Sequence, residues 1–171
     1  MTDKTTALKK RIRIWTWIFI FFLVLSGVTA IPVKWEMDLL LSIFNPTTFS
    51  ASFWMPLHEF LAEVSEGINH ADEHYQFLFY GFDWLAFGHI VIAIAFYGLI
   101  KDPVRNKWLI QFGMIACVLI VPTAFFLGGM RGIPFFWKLV DCSFGLFGII
   151  PLWMVGKWIN KLEIWEGQEA N

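Results

Sequence analysis

The chain has 171 residues, of which 57% are hydrophobic and 19% aromatic, while only 16% are charged, against about 25% in soluble globular domains. A single soluble domain of this length cannot hide so much apolar surface, so the composition points to an integral membrane protein. A formal net charge of −1 at pH 7 argues against a nucleic-acid partner.

The first stretch is basic, with Lys4, Lys9, Lys10, Arg11 and Arg13. An apolar run over 14–31 follows, long enough to cross a hydrocarbon core as a helix at about 1.5 Å per residue. A basic start followed by Val28-Thr29-Ala30 also fits a signal peptide, but the apolar run is long for one and reads as a retained anchor. Residues 33–80 then leave the membrane. Trp35 to Phe44 is patterned as a short interfacial helix that Asn45-Pro46 ends. Pro56 to Tyr75 begins on a proline and spaces Leu57, Leu61, Val64 and Ile68 by three and four, which predicts an amphipathic helix with an acidic, histidine-bearing face toward water.

Three more apolar runs predict spans over 82–100, 108–127 and 134–158. Pro103 stops the first of these after Lys101-Asp102, Pro122 should kink the second, and a tight connection over 128–133 leads to the third. The expected fold is an all-α bundle of four transmembrane helices forming one membrane domain over 1–171, with one or two amphipathic helices on the outer side. Ten of the thirteen basic residues fall on one side of that arrangement, with the N-terminus, the loop after the second span and the C-terminal tail. The positive-inside rule makes that side cytoplasmic and leaves Lys34, Arg131 and Lys138 outside. Tryptophans then mark both boundaries, with Trp15, Trp108 and Trp158 inside and Trp35, Trp84 and Trp137 outside.

This topology gathers scattered polar residues into a layer. Asp83 lies at the outer mouth of the second span, and His89 about 10 Å deeper. Asp141 in the fourth span reaches a similar depth, as do Ser26, Thr123 and Ser143, beneath Arg131 and Lys138. Gly145 and Gly148 share a helix face with Asp141, and Gly113, Ala116 and Cys117 form a small-residue patch on the third span that could meet it. As a pocket, the layer offers Asp83, His89, Thr123, Arg131, Lys138 and Asp141 to a ligand, with His89 as a base, Asp141 orienting it and Arg131 meeting an anion. As structural glue, Lys138 pairs with Asp141, three residues away, while His89 bonds a backbone carbonyl or Thr123. Asp83, at a helix start, reads as an N-terminal cap.

A second constellation, His58, Glu66, His70 and His74, stands on the outer amphipathic helix. His70 and His74 are four apart, a spacing at which two imidazoles can share a metal, but a third ligand must come from elsewhere and no H-E-x-x-H pattern is present. No cofactor is predicted: for haem only His89 is deep in a span, with Met114 as a conceivable second ligand. Cys117 and Cys142 lie in apolar runs without C-x-x-C spacing and read as small packing residues.

The segments GFDWLAFGHIVIAIAFYG, KDPVRNKW, FGMIACV and RGIPFFWKLVDCSFG, between Gly81 and Gly145, resemble an uncharacterised family of four-span bacterial inner-membrane proteins. Four spans, a long segment after the first and Pro122 and Pro151 in the third and fourth also resemble the layout of the EXPERA-domain proteins. That family includes sterol isomerases and sterol-binding receptors, and the resemblance implies acidic residues in a membrane cavity that engage a cationic or carbocation-like ligand. A single span carboxylate, Asp141, with His89 departs from its pattern. The expected function is binding of a lipid-like or amphipathic small molecule in an outer-leaflet polar pocket of the bacterial inner membrane. Two alternatives stay open: an accessory subunit docking a membrane partner or a second copy, and a small lipid-acting enzyme, either an acid–base isomerase or a metal-assisted hydrolase.

Overall fold

The computed structural model describes residues 2–45 and 55–169. Its elements are all helical: α1 (Thr2–Thr29), α2 (Val33–Ile43), α3 (Met55–His74), a 3-10 turn (Gln76–Phe79), α4 (Tyr80–Lys101), α5 (Trp108–Met130) and α6 (Phe135–Glu169). Four helices, α1, α4 with the preceding turn, α5 and α6, are long and apolar enough to cross a membrane. Their outer surfaces suit lipid, since Phe126 and Phe147 are 69% and 70% exposed. The two segments expected to form amphipathic helices are helical, as α2 and α3, each within two residues of its expected start. Pro46, expected to end the first of them, lies outside the described residues. The largest difference is α6, expected to stop near residue 158 but continuous to Glu169.

Contacts gather the chain, read from the sequence as one membrane domain, into two compact units, Met1–Phe22 with Ile92–Asn171, and Leu23–Val91. The core of the first unit sits at the end that holds the start of α1 and the last turns of α6. Ile12, Phe96, Leu99, Leu109, Ile110, Leu152, Val155, Ile159 and Leu162 are all buried there. Trp15 packs edge-on against Trp158 at 6.3 Å. Ion pairs close its rim, Lys9 to Glu166 at 2.7 Å and Lys107 to Glu163 at 2.8 Å. Exposed pairs of this kind contribute at most about 1 kcal/mol each, so the apolar core carries the packing. The α4–α5 connector is tied by its own side chains. Asn106 Nδ2 donates to the carbonyls of Gly98 at 3.0 Å and Asp102 at 2.8 Å, and Asp102 Oδ1 accepts the Arg105 N–H at 3.0 Å.

Toward the far end of the unit, α5 and α6 are joined by a turn in which Gly132 takes φ 71°. The Ile133 and Gly132 N–H groups donate to the carbonyls of Gly128 and Gly129, the pattern of a Schellman cap. Below it the two helices meet backbone to backbone. A Cβ at Gly145 would stand 2.5 Å from the Cys117 carbonyl oxygen, and one at Gly148 would stand 2.9 Å from Cys117 Sγ. The glycine face of α6 therefore meets Cys117 of α5, while Gly113 of the same expected patch lies instead against Leu152 and Phe96.

In the second unit α2 and α3 pack on each other. Met37 of α2 and Leu61 and Ser65 of α3 are buried. Lys34 Nζ meets Asp72 Oδ2 at 2.6 Å, and that hydrogen bond holds the Lys34 ammonium above its ordinary value. Glu36 lies partly buried on α2, and desolvation pushes its carboxyl above the ordinary value of 4.5.

Two outcomes follow from this packing. Gly145→Ala is expected to force α5 and α6 apart at a cost of about 1–3 kcal/mol, read as a lower melting temperature in detergent. Gly81→Ala, whose Cβ would meet nothing within 4 Å, should leave the melting temperature unchanged or slightly raised. For Glu36 the raised folded value means that the folded chain binds more protons than the unfolded one as pH climbs from 4.5. Stability should fall through that window, and Glu36→Gln should flatten the fall and raise the melting temperature at pH 7.

Candidate functional site

The chemistry-bearing residues divide between the two units. In the first, α6 carries Lys138, Asp141 and Ser143, α5 carries Thr123, and Arg131 caps the end of α5. Ser143 is self-contained, because its hydroxyl donates to the Val140 carbonyl at 2.6 Å. Thr123 and Arg131 are exposed. Asp141 is half-buried one turn before Gly145, on the helix face that the glycine contact turns toward α5.

The pairing of Lys138 with Asp141 is not formed. Ion pairs among the described residues join Lys9 with Glu166, Lys34 with Asp72 and Lys107 with Glu163. Lys138 instead lies along the end of α5. Its Cε would stand 3.3 Å from a Cβ at Gly128, and its Nζ 4.0 Å from one at Gly129. The ammonium thus sits where α5 ends and its carbonyl dipoles are negative, a placement that competes with the carboxylate for the lysine. The Asp141 carboxylate makes no hydrogen bond or ion pair with the described residues.

In the second unit His89 projects from α4 against α1. Gly27 is buried there, and a Cβ on it would stand 2.6 Å from His89 Cβ and 3.1 Å from the Ala86 carbonyl oxygen. His89 Nδ1 lies 2.8 Å from the Leu85 carbonyl oxygen. A carbonyl only accepts, so the contact places a proton on Nδ1, and Nε2 has no hydrogen-bond partner among the described residues. Ser26, next to Gly27, is exposed. Asp83 is not an N-terminal cap: α4 begins at Tyr80 and Asp83 stands inside its first turn, where a carboxylate still complements the positive helix end.

The histidines of α3 come together only in part. His70 and His74 stack with centroids 4.5 Å apart, and Tyr75 packs against both at 6.1 Å. His74 Nδ1 is 3.1 Å from the His70 carbonyl oxygen and donates to it. His58 is twelve residues before His70 on α3, about 18 Å along the axis, beyond any shared coordination sphere. Its Nδ1 is buried and unpartnered among the described residues. No group of three His, Cys, Asp or Glu among the described residues converges as a metal site, Glu66 included.

Sequence reasoning passed over Thr16. It is buried at 2% exposure, with a hydroxyl unpartnered among the described residues. It lines a narrow apolar recess in the first unit with Trp15, Phe19, Phe96, Ile110 and Pro151, too tight for a water molecule. The available signal was a lone hydroxyl between Trp15 and Trp17 in an apolar run. The recess lies ten residues along α6 from Asp141, about 15 Å away.

Comparison with known proteins adds no relative: no family model, curated protein or solved structure matches the chain. With two imidazoles and no converging third ligand, removal of divalent metal by a chelator is expected to leave the melting temperature of the purified protein unchanged. A chelator-dependent drop restored by zinc would reinstate the metal reading.

Proposed function

We propose that this chain is a multi-pass protein of a bacterial inner membrane, with both termini cytoplasmic, that binds a lipid-like or amphipathic small molecule through polar groups set in the outer-leaflet part of its spans. The observation that carries the proposal is Asp141. An ionisable group in a span costs at least roughly 2.5–3.5 kcal/mol to insert, and such groups normally find a partner in protein, water or ligand. Asp141 has none among the described residues, because the nearby lysine is drawn to the end of α5. A ligand with a cationic or hydroxyl-bearing head and an apolar body matches a half-buried carboxylate flanked by lipid-facing Phe144 and Phe147. His89 in the second unit, with Nε2 unpartnered among the described residues, is a further polar group set within a span. Sidedness rests on the ten basic residues carried by the N-terminal stretch, the α4–α5 connector and the C-terminal part of α6.

The test compares the wild-type protein with Asp141→Asn and Asp141→Leu, each purified in mild detergent and examined by native mass spectrometry and lipid extraction. The wild type should carry a defined small molecule. Asp141→Asn should lose it about tenfold and Asp141→Leu entirely, with helicity and elution volume unchanged. Identical lipid complements in all three would overturn the reading. Loss of a copurifying membrane protein instead would select the accessory-subunit alternative.

A further inference from the structure

We infer that the first unit binds the phosphate of an anionic phospholipid at a second place, a seam between α1 and α4 at the end that holds the start of α1, through Arg13 and Lys101. The two helices run antiparallel there. Trp17 meets Tyr97 at 6.0 Å, and two residues on, Phe19 meets Phe96 at 4.8 Å. Arg13 precedes Trp17 by one turn and Lys101 follows Tyr97 by one turn, so the antiparallel register brings both cations to the same level on the same side of the seam. Both are exposed. Lys101 Nζ stands 5.3 Å from the centre of the Tyr97 ring, held beside the seam by its aromatic wall.

The aromatic floor faces outward. Trp17 is 50% and Tyr97 42% exposed, while Phe96 just behind is buried. A bilayer next to these spans therefore lays an acyl chain along Trp17 and Tyr97 and brings its phosphodiester to the cations one turn higher. Nearby acids are otherwise engaged: Asp102 accepts the Arg105 N–H, Glu163 holds Lys107 and Glu166 holds Lys9. Arginine supplies a planar fork for two phosphate oxygens and lysine a point charge, a complementary pair for one phosphodiester. A zwitterionic headgroup brings its own ammonium against the same cations, so the seam selects lipids with net negative charge.

The experiment titrates the full chain, delipidated in a neutral detergent, with dioleoylphosphatidylglycerol or dioleoylphosphatidylethanolamine, reading bound lipid by native mass spectrometry. The wild type should retain the glycerol lipid at least tenfold more tightly, with affinity falling as salt rises. Arg13→Gln/Lys101→Gln should abolish that preference. Lys10→Gln/Lys161→Gln, which removes two cations elsewhere at the same end, should keep it. Equal retention of both lipids by the wild type, or equal loss in both double variants, would overturn the inference. Displacement of the lipid by an equal concentration of inorganic phosphate would also overturn it, by showing a site for the free ion. Circular dichroism and melting temperature check that each variant is folded. Because the seam does not involve Asp141, Asp141→Leu should leave the preference intact, which separates failure here from failure of the proposed ligand site.

Discussion

The approach of α6 to α5 at Gly145 is the contact on which the first unit's far half depends. With a Cβ there placed 2.5 Å from a backbone carbonyl oxygen, only hydrogen fits, so this single position sets how near the two helices lie. Between membrane helices no hydrophobic drive remains, because lipid tails are as apolar as leucine, and close backbone packing supplies the attraction instead. The contact also fixes the rotation of α6. Asp141 stands one turn above Gly145 and inherits its face, and Lys138, three residues earlier, reaches the glycines that end α5. The unpaired state of the carboxylate thus follows from packing geometry.

The near half of the same unit is held differently, and helix length explains why. At 28 and 35 residues, α1 and α6 are about 42 and 52 Å long, against a hydrocarbon core of about 30 Å. Their terminal turns overhang the lipid into water, where the hydrophobic effect operates. Leu8, Ile12, Ile159 and Leu162 are correspondingly buried, with Lys9 and Glu166 bridging at the rim. Helix α6 is therefore held by two forces in succession along its length, aqueous apolar burial beside α1 at one end and glycine packing against α5 at the other. A change that weakens only one of them leaves the other to hold α6.

Much of this was legible in the chain itself. Apolar runs located all four long helices because a span demands an uninterrupted apolar segment, and Pro103 and the glycines at 128, 129 and 132 marked the breaks. The Gly145–Gly148 face and its Cys117 partner could be read because small residues at helical spacing have few other uses inside a membrane. What escaped reading has an equally physical cause. The last turns of α6 are charged, so a search for apolar length ends near residue 158, although helix propensity and burial of Ile159 and Leu162 carry the helix onward. The start of α4 was misplaced because its first turn is aromatic and carries no capping side chain, which made Asp83 look like a boundary. Lys138 was assigned to Asp141 by sequence proximity, whereas its position is decided by a helix end that becomes its neighbour only after the chain turns at Gly132.

That last case bears on how a membrane protein keeps a carboxylate available. A lysine three residues away on the same helix would ordinarily neutralise Asp141, because ammonium and carboxylate attract strongly where water is scarce. The last carbonyls of α5 are capped by the turn itself, but the negative end of its helix dipole still favours the charge of a lysine lying along it. The tight α5–α6 turn brings this alternative within reach and orients it away from the carboxylate. Replacing that turn by a longer one would remove the competitor and let the ion pair close. The brevity of the connection, with Gly132 at positive φ as its enabling residue, is therefore as much a determinant of the free carboxylate as Asp141 itself.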